Sequence, residues 1–102
     1  MTLQTIDTAI EPTARRAAEA ISTGFAYFDT YGEVIINATL GSFTPSTLVT
    51  VSIVEVDHNN APMIGAARMT VHNIQPYQGG VQTWVNIEWN SPLRVRVSYF
   101  WQ

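Results

Sequence analysis

The residues best suited to catalysis or metal binding gather in one short stretch: Glu55, Asp57, His58, Asn59 and Asn60. Oxygen donors at that density suit a hard cation. A calcium loop, however, needs a fixed donor spacing, a glycine at its turn and a terminal glutamate, and these are absent. Aspartate and asparagine also cap turns and accept positive φ, as a connection between strands demands. Turn capping is therefore the expectation, with no metal ligand assigned; a small metal-dependent protein centred on Asp57 and His58 is the weakest reading. A zinc site would need both histidines, His58 and His72, and a carboxylate. His72 falls on the strand face opposite Met69 and Val71, which predicts an exposed or edge histidine. The chain holds no Gly-x-Ser-x-Gly, no phosphate-binding glycine loop and no His-Glu-x-x-His. A paired-carboxylate hydrolase would draw on Glu33, Glu55, Asp57 or Glu88, and nothing in the pattern brings two of them together. The expectation is a protein that is not an enzyme and uses no cofactor.

A different chemistry is written between Val81 and Trp101. Val81, Thr83, Val85, Ile87 and Trp89 share one parity, as do Leu93, Val95, Val97, Tyr99 and Trp101. A period of two marks strands with one face in a core. The pattern predicts a hairpin closed by the three-residue loop Asn90 to Pro92, pairing Trp89 with Leu93 and keeping both apolar sets on one side. Its other side would then place Glu88 beside Arg94, Asn86 beside Arg96, Trp84 beside Ser98 and Gln82 beside Phe100. Trp84, Asn86, Glu88, Arg94, Arg96 and Phe100 are the predicted ligand-binding residues. Sugars present apolar C–H faces and fixed hydroxyls, which suit such a set. The same residue types are enriched at protein interfaces. Three readings stay open for this face: burial under a second sheet or helix, an oligomer interface, or a ligand platform.

The elements around it read as follows. Residues 1–11 alternate weakly, as a frayed tail or a short edge strand. Pro12 to Ser22 has helical character, with proline suited to the first turn, four alanines and Gly24 as a stop. Strands are expected at 25–29 and 34–40, joined by a turn at Thr30 to Glu33. A longer one at 47–57 changes apolar phase at Ile53-Val54, which predicts a β-bulge or a change of sheet. Residues 63–74 form the next strand, and Gln75 to Gly80 turns into the final hairpin. About six strands at such spacing imply an all-β antiparallel sandwich, in the general style of jelly rolls or immunoglobulin-like domains. The domain would span 24–102, with 1–23 a tail and short helical extension. Asn37-Ala38-Thr39 is an N-glycosylation sequon inside a predicted strand. Tyr27, Phe28, Tyr31 and Tyr77 crowd the turns.

Composition limits the partners. In 102 residues there is room for one core. Charged residues are 13% of the chain, about half the usual fraction, and all five basic residues are arginine. A surface so poor in charge suits one partly covered by sister subunits, or one facing the outside of a cell or particle. A net charge of −3 gives no general attraction to nucleic acid. There is no cysteine, no signal-like start and no apolar run long enough for a membrane span. The leading expectation is a non-catalytic binding or adhesion module, homo-oligomeric, recognising a glycan or protein. The second is a structural subunit of a shell, fibre or appendage.

Overall fold

Alternating β-branched and polar residues favour strands along most of the chain, because each strand can then bury one face and hydrate the other. The computed structural model describes residues 3–12 and 21–102. In them nine strands form: β1 (Gln4–Ala9), β2 (Glu11–Pro12), β3 (Ser22–Thr30), β4 (Gly32–Thr39), β5 (Val49–Val56), β6 (Pro62–Met63), β7 (Arg68–Tyr77), β8 (Gly80–Glu88) and β9 (Leu93–Trp101). They make a four-stranded sheet in the order β1-β4-β8-β7 and a five-stranded sheet in the order β2-β3-β9-β5-β6. Every pairing is antiparallel except β1 with β4. The chain is an all-β, mostly antiparallel sandwich.

The hairpin expected over Val81 to Trp101 does not form. Both strands exist, but β8 belongs to the four-stranded sheet and β9 to the five-stranded one, so Trp89 to Pro92 crosses between layers. The alternation is satisfied either way. Val81, Thr83, Val85 and Ile87 enter the core from one sheet, and Val95, Val97 and Tyr99 enter it from the other. Period two assigns a face to each residue and says nothing of which strand lies alongside. The turn at Thr30 to Glu33 is a second crossing, with Tyr31 alone between β3 and β4 and Gly32 at a φ of 76°. That left-handed conformation suits glycine.

Two further expectations are corrected. β5 runs against β9 in unbroken register from Val49 to Glu55, so no bulge lies at Ile53-Val54. The register shift occurs in β7, between Val71 and Asn73. The single strand expected at 63–74 is divided into β6 and β7, which lie in different sheets. The hairpin that does form near the C-terminus joins β7 to β8 through Gln78-Gly79, with Gly79 at a φ of 100°. Pro76 is tolerated because β7 is an edge strand. The helical extension expected at Pro12 to Ser22 lies for the most part outside the described residues. Its two ends, Pro12 and Ser22, are strand residues, and β1 and Ile10 are built into the sandwich.

The core is closed at one end by Phe43, from the loop between β4 and β5, which is fully buried and packs against Trp101. Tyr99 is also fully buried. Its hydroxyl has no partner among the described residues, and loss of hydration pushes its pKa well above the usual phenol range. At the start of β8, Gly80 lets the Tyr77 ring lie across the sheet. A Cβ there would meet the Ala38 carbonyl at 2.5 Å and the Tyr77 hydroxyl at 2.6 Å. That hydroxyl donates to Asn37 Oδ1, and Asn37 Nδ2 donates to Asp7 Oδ1 at 2.9 Å, so three strands are tied together over a fourth. The amide of the predicted sequon is thereby engaged within the fold.

The register makes a direct prediction. Arg94 faces Asp29 on β3, whereas Glu88 faces Arg68. A double-mutant cycle in urea on Asp29→Ala and Arg94→Ala should give a coupling of about 0.2–1 kcal/mol. The cycle on Glu88→Ala and Arg94→Ala should give none, and a reversed result would refute the crossing.

Candidate functional site

The crossing between β8 and β9 divides the six predicted ligand-binding residues. All six sit at even positions and all point away from the core, but from opposite layers. Trp84, Asn86 and Glu88 lie on the outer side of the four-stranded sheet, and Arg94, Arg96 and Phe100 on the outer side of the five-stranded sheet. The structure does not bring them to one face.

On the four-stranded side, Trp84 is half-buried between Ile35 of β4 and Asn73 of β7. The extra residue in β7 is His72. Its ring stacks on Trp84 with centroids 4.6 Å apart, and its Nε2 lies 3.8 Å from Glu33 Oε1 on β4. The bulge thus turns an edge residue inward over its own sheet, a recurrent use of bulges. The indole N–H of Trp84 is sealed from water and has no acceptor among the described residues. Asn86 sits between Glu33 and Thr70, and Glu88 is exposed opposite Arg68.

The five-stranded side is built around β9, which is hydrogen-bonded on both edges, to β3 and to β5. Arg94 is held by three groups. Its Nη1 donates to Asp29 Oδ2 at 2.9 Å, its Nε donates to Asn60 Oδ1 at 2.7 Å, and its guanidinium carbon lies 5.3 Å from the centre of the Tyr27 ring. Tyr27 in turn meets Phe25 edge to face at 5.5 Å. Arg96 follows on the same face, flanked by Tyr27 and Val54. Phe100 ends the row, 53% exposed. Between these side chains lies a shallow hollow of about 260 Å³, bordered by Thr23, Phe25, Tyr27, Arg96, Ser98 and Phe100.

Sequence reasoning selected Arg94, Arg96 and Phe100 but missed the partners that complete this face. Phe25, Tyr27 and Asp29 share one parity, with Ala26 and Phe28 on the other, so an outward row was readable in β3. What was not readable is that this row lies beside β9. Phe28 turns into the core, and Tyr31 stands exposed at the crossing.

Asp57 has the capping role expected of it. Its Oδ1 accepts the N–H of Asn59 at 2.8 Å and that of Ala61 at 3.0 Å, and Asn60 takes a φ of 63° between them. This turn carries Asn60 to Arg94. The two histidines stand apart, His58 in this turn of the five-stranded sheet and His72 on the four-stranded one. Among the described residues, no three His, Cys, Asp or Glu side chains group as a metal site.

Donation from Ala61 first, then Asn59, holds the Asp57 carboxyl below its ordinary value of 3.8, with His58 adding a smaller effect. A depressed folded-state pKa contributes stability that is present above 3.8 and is lost as pH falls through 3.8 toward the lower folded value. Asp57→Asn should therefore lower the melting temperature near neutrality and flatten the acid limb of its pH profile, so that mutant and wild type converge as pH falls through that window. An acid limb identical to that of the wild type would remove the carboxylate from this role.

Compared with known proteins, the chain matches no family model, no curated protein and no solved structure.

Proposed function

We propose that this chain is a non-catalytic binding module that engages a glycan or protein partner through the outer face of its five-stranded sheet. One observation carries the reading: an exposed aromatic, Phe100, shares a row with Arg96, with Phe25 and Tyr27 on the neighbouring strand. Aromatic and arginine side chains dominate binding energetics because they bury large areas with few rotatable bonds and offer directed polar groups. The central strand β9 holds the row rigidly, so little ordering entropy is lost on contact. Two of the acids on this sheet have structural work, Asp29 binding Arg94 and Asp57 capping its turn, while Glu11 stands exposed across from Phe25. That arrangement suits recognition better than proton transfer.

A second observation favours the assembly reading. Leu48 is 65% exposed and Ile21 52%, and with Phe100 they border a hollow of about 380 Å³ at the end of the same sheet. Apolar groups clustered in this way mark contact surfaces. A subunit of a larger homomeric assembly would cover them, and the low charge of the chain agrees with such cover.

One pair of proteins tests both. Phe100→Ala should weaken capture on a mixed array of neutral and acidic glycans about tenfold or more while the melting temperature changes little, since the ring is exposed. Light scattering on Leu48→Arg should show the wild-type mass if the module acts alone. A fall in mass would move the conclusion to the assembly subunit, and intact array binding by a folded Phe100→Ala would refute the binding face.

A further inference from the structure

Two arginines stand two residues apart on one face of β9, and their surroundings differ. Arg94 is engaged by Asp29, Asn60 and the Tyr27 ring. Arg96 has Tyr27 and Val54 as its cross-strand neighbours, and neither carries a negative charge. Among the described residues it makes no ion pair, and its Nε is sealed from water without an acceptor, whereas Nη1 and Nη2 are not sealed. A guanidinium in that state lacks the acceptors that buried donors ordinarily find. It borders the hollow between Phe25 and Phe100.

We infer that this hollow seats a carboxylate-bearing sugar, a uronic-acid residue of an acidic glycan, with Arg96 holding the carboxylate. The inference rests on the binding-module reading and names its ligand. The planar edge of a guanidinium matches a carboxylate at two points, which a single arginine can satisfy. Phe25 and Phe100 offer apolar ring faces to the C–H side of a sugar, and Thr23 and Ser98 offer hydroxyls to its own hydroxyls. A peptide is disfavoured by the same geometry. Peptides that dock on sheets gain affinity by adding a strand, and the backbone of β9 is already paired on both sides. Only side chains are offered here, and they are those that suit a charged ring.

Calorimetric titration of the full chain with a galacturonic-acid trisaccharide, its methyl ester and tri-glutamate tests the assignment. The acid sugar should bind, and the ester and the peptide should bind about ten- to a hundredfold more weakly, the loss expected of a charge-assisted pair. Arg96→Gln should bring the acid sugar down to the level of the ester and leave the ester unchanged, with part of the affinity restored by Arg96→Lys. If Arg96→Gln fails to fold, the acid-against-ester ratio on the wild type decides alone. Equal affinity for acid and ester would overturn the carboxylate anchor while leaving the binding face standing. Tighter binding of tri-glutamate would overturn the sugar in favour of an acidic peptide. No binding of any of the three, together with array signals unmoved by Phe100→Ala, would overturn the binding face itself.

Discussion

Val34, Ile36, Val81, Val85, Ile87, Val95, Val97 and Tyr99 are withdrawn completely from water, and their burial is the constraint that the other features of the molecule obey. Each such side chain contributes about 1.5–3 kcal/mol when removed from water, large beside a net stability of about 5–15 kcal/mol. A single sheet of alternating strands cannot bury its apolar face alone. Here consecutive strands bury theirs against one another by changing layer, β3 to β4 through Tyr31 and β8 to β9 through Trp89 to Pro92. These two of the five layer changes among the described strands lie at the same end, because Thr30 pairs with Leu93 and Gly32 with Ile87. Each layer change sends the polar residues of the two strands to opposite sides of the molecule. The existence of two unlike outer faces is thus a consequence of how the core is closed.

Closing the core this way leaves open edges, and local chemistry limits them. The five-stranded sheet ends in two strands of two residues each, β2 and β6, which are poor templates for another chain. The long edge β7 carries a bulge at His72 and a proline at Pro76, both of which interrupt a regular ladder. β1 is the other edge of that sheet, and the bond from Asn37 to Asp7 and that from Tyr77 to Asn37 tie both edges to its centre. The ring of Tyr77 reaches Asn37 only because Gly80 has no side chain in its path. The same bulge that breaks the edge also stacks His72 on Trp84, so edge control and the character of one outer face come from one inserted residue.

The parity of residues along the strands was legible in the sequence, and with it the class of fold and the inward set of β4, β8 and β9. Pairing was not. Val81 to Trp101 satisfies its alternation equally as a hairpin or as two strands in opposite layers, and a four-residue connection permits both. The choice is made by tertiary competition: β3 and β5 occupy the two edges of β9, and β4 and β7 those of β8. The same limit explains the misplaced bulge. Val54 and Val56 looked like a break in pairing, yet β5 keeps its register with β9 while Val54 lies beside Arg96 and Val56 is buried where β6 joins, and the true irregularity at His72 carries no apolar signal. The six predicted binding residues divide three and three, each set kept together by its own strand, and the face that bears Arg96 is the one formed by β9. The tyrosine and aspartate that complete this face come from a strand more than sixty residues earlier, a distance over which periodicity is silent.

Arg94 and Arg96 show how position, not residue type, separates structure from recognition. Both project from the same face of the same strand, and both lie beside Tyr27 or its neighbour Asp29 on β3. Arg94 stands level with Asp29 and within reach of the Asp57 to Ala61 turn, so its charge and directed donors are used inside the molecule. One step along, the facing residues are a phenol ring and a valine, and the acid and amide bond Arg94 instead. An N–H sealed without an acceptor costs about 1–3 kcal/mol. Glutamine or threonine at position 96 would fill an outward strand site without confining a cation there. The guanidinium nitrogens that are not sealed, at the hollow beside Phe100 and Ser98, are the donors an acceptor from outside would meet, whereas the sealed Nε is a cost of placing the cation there and not a contact it would supply.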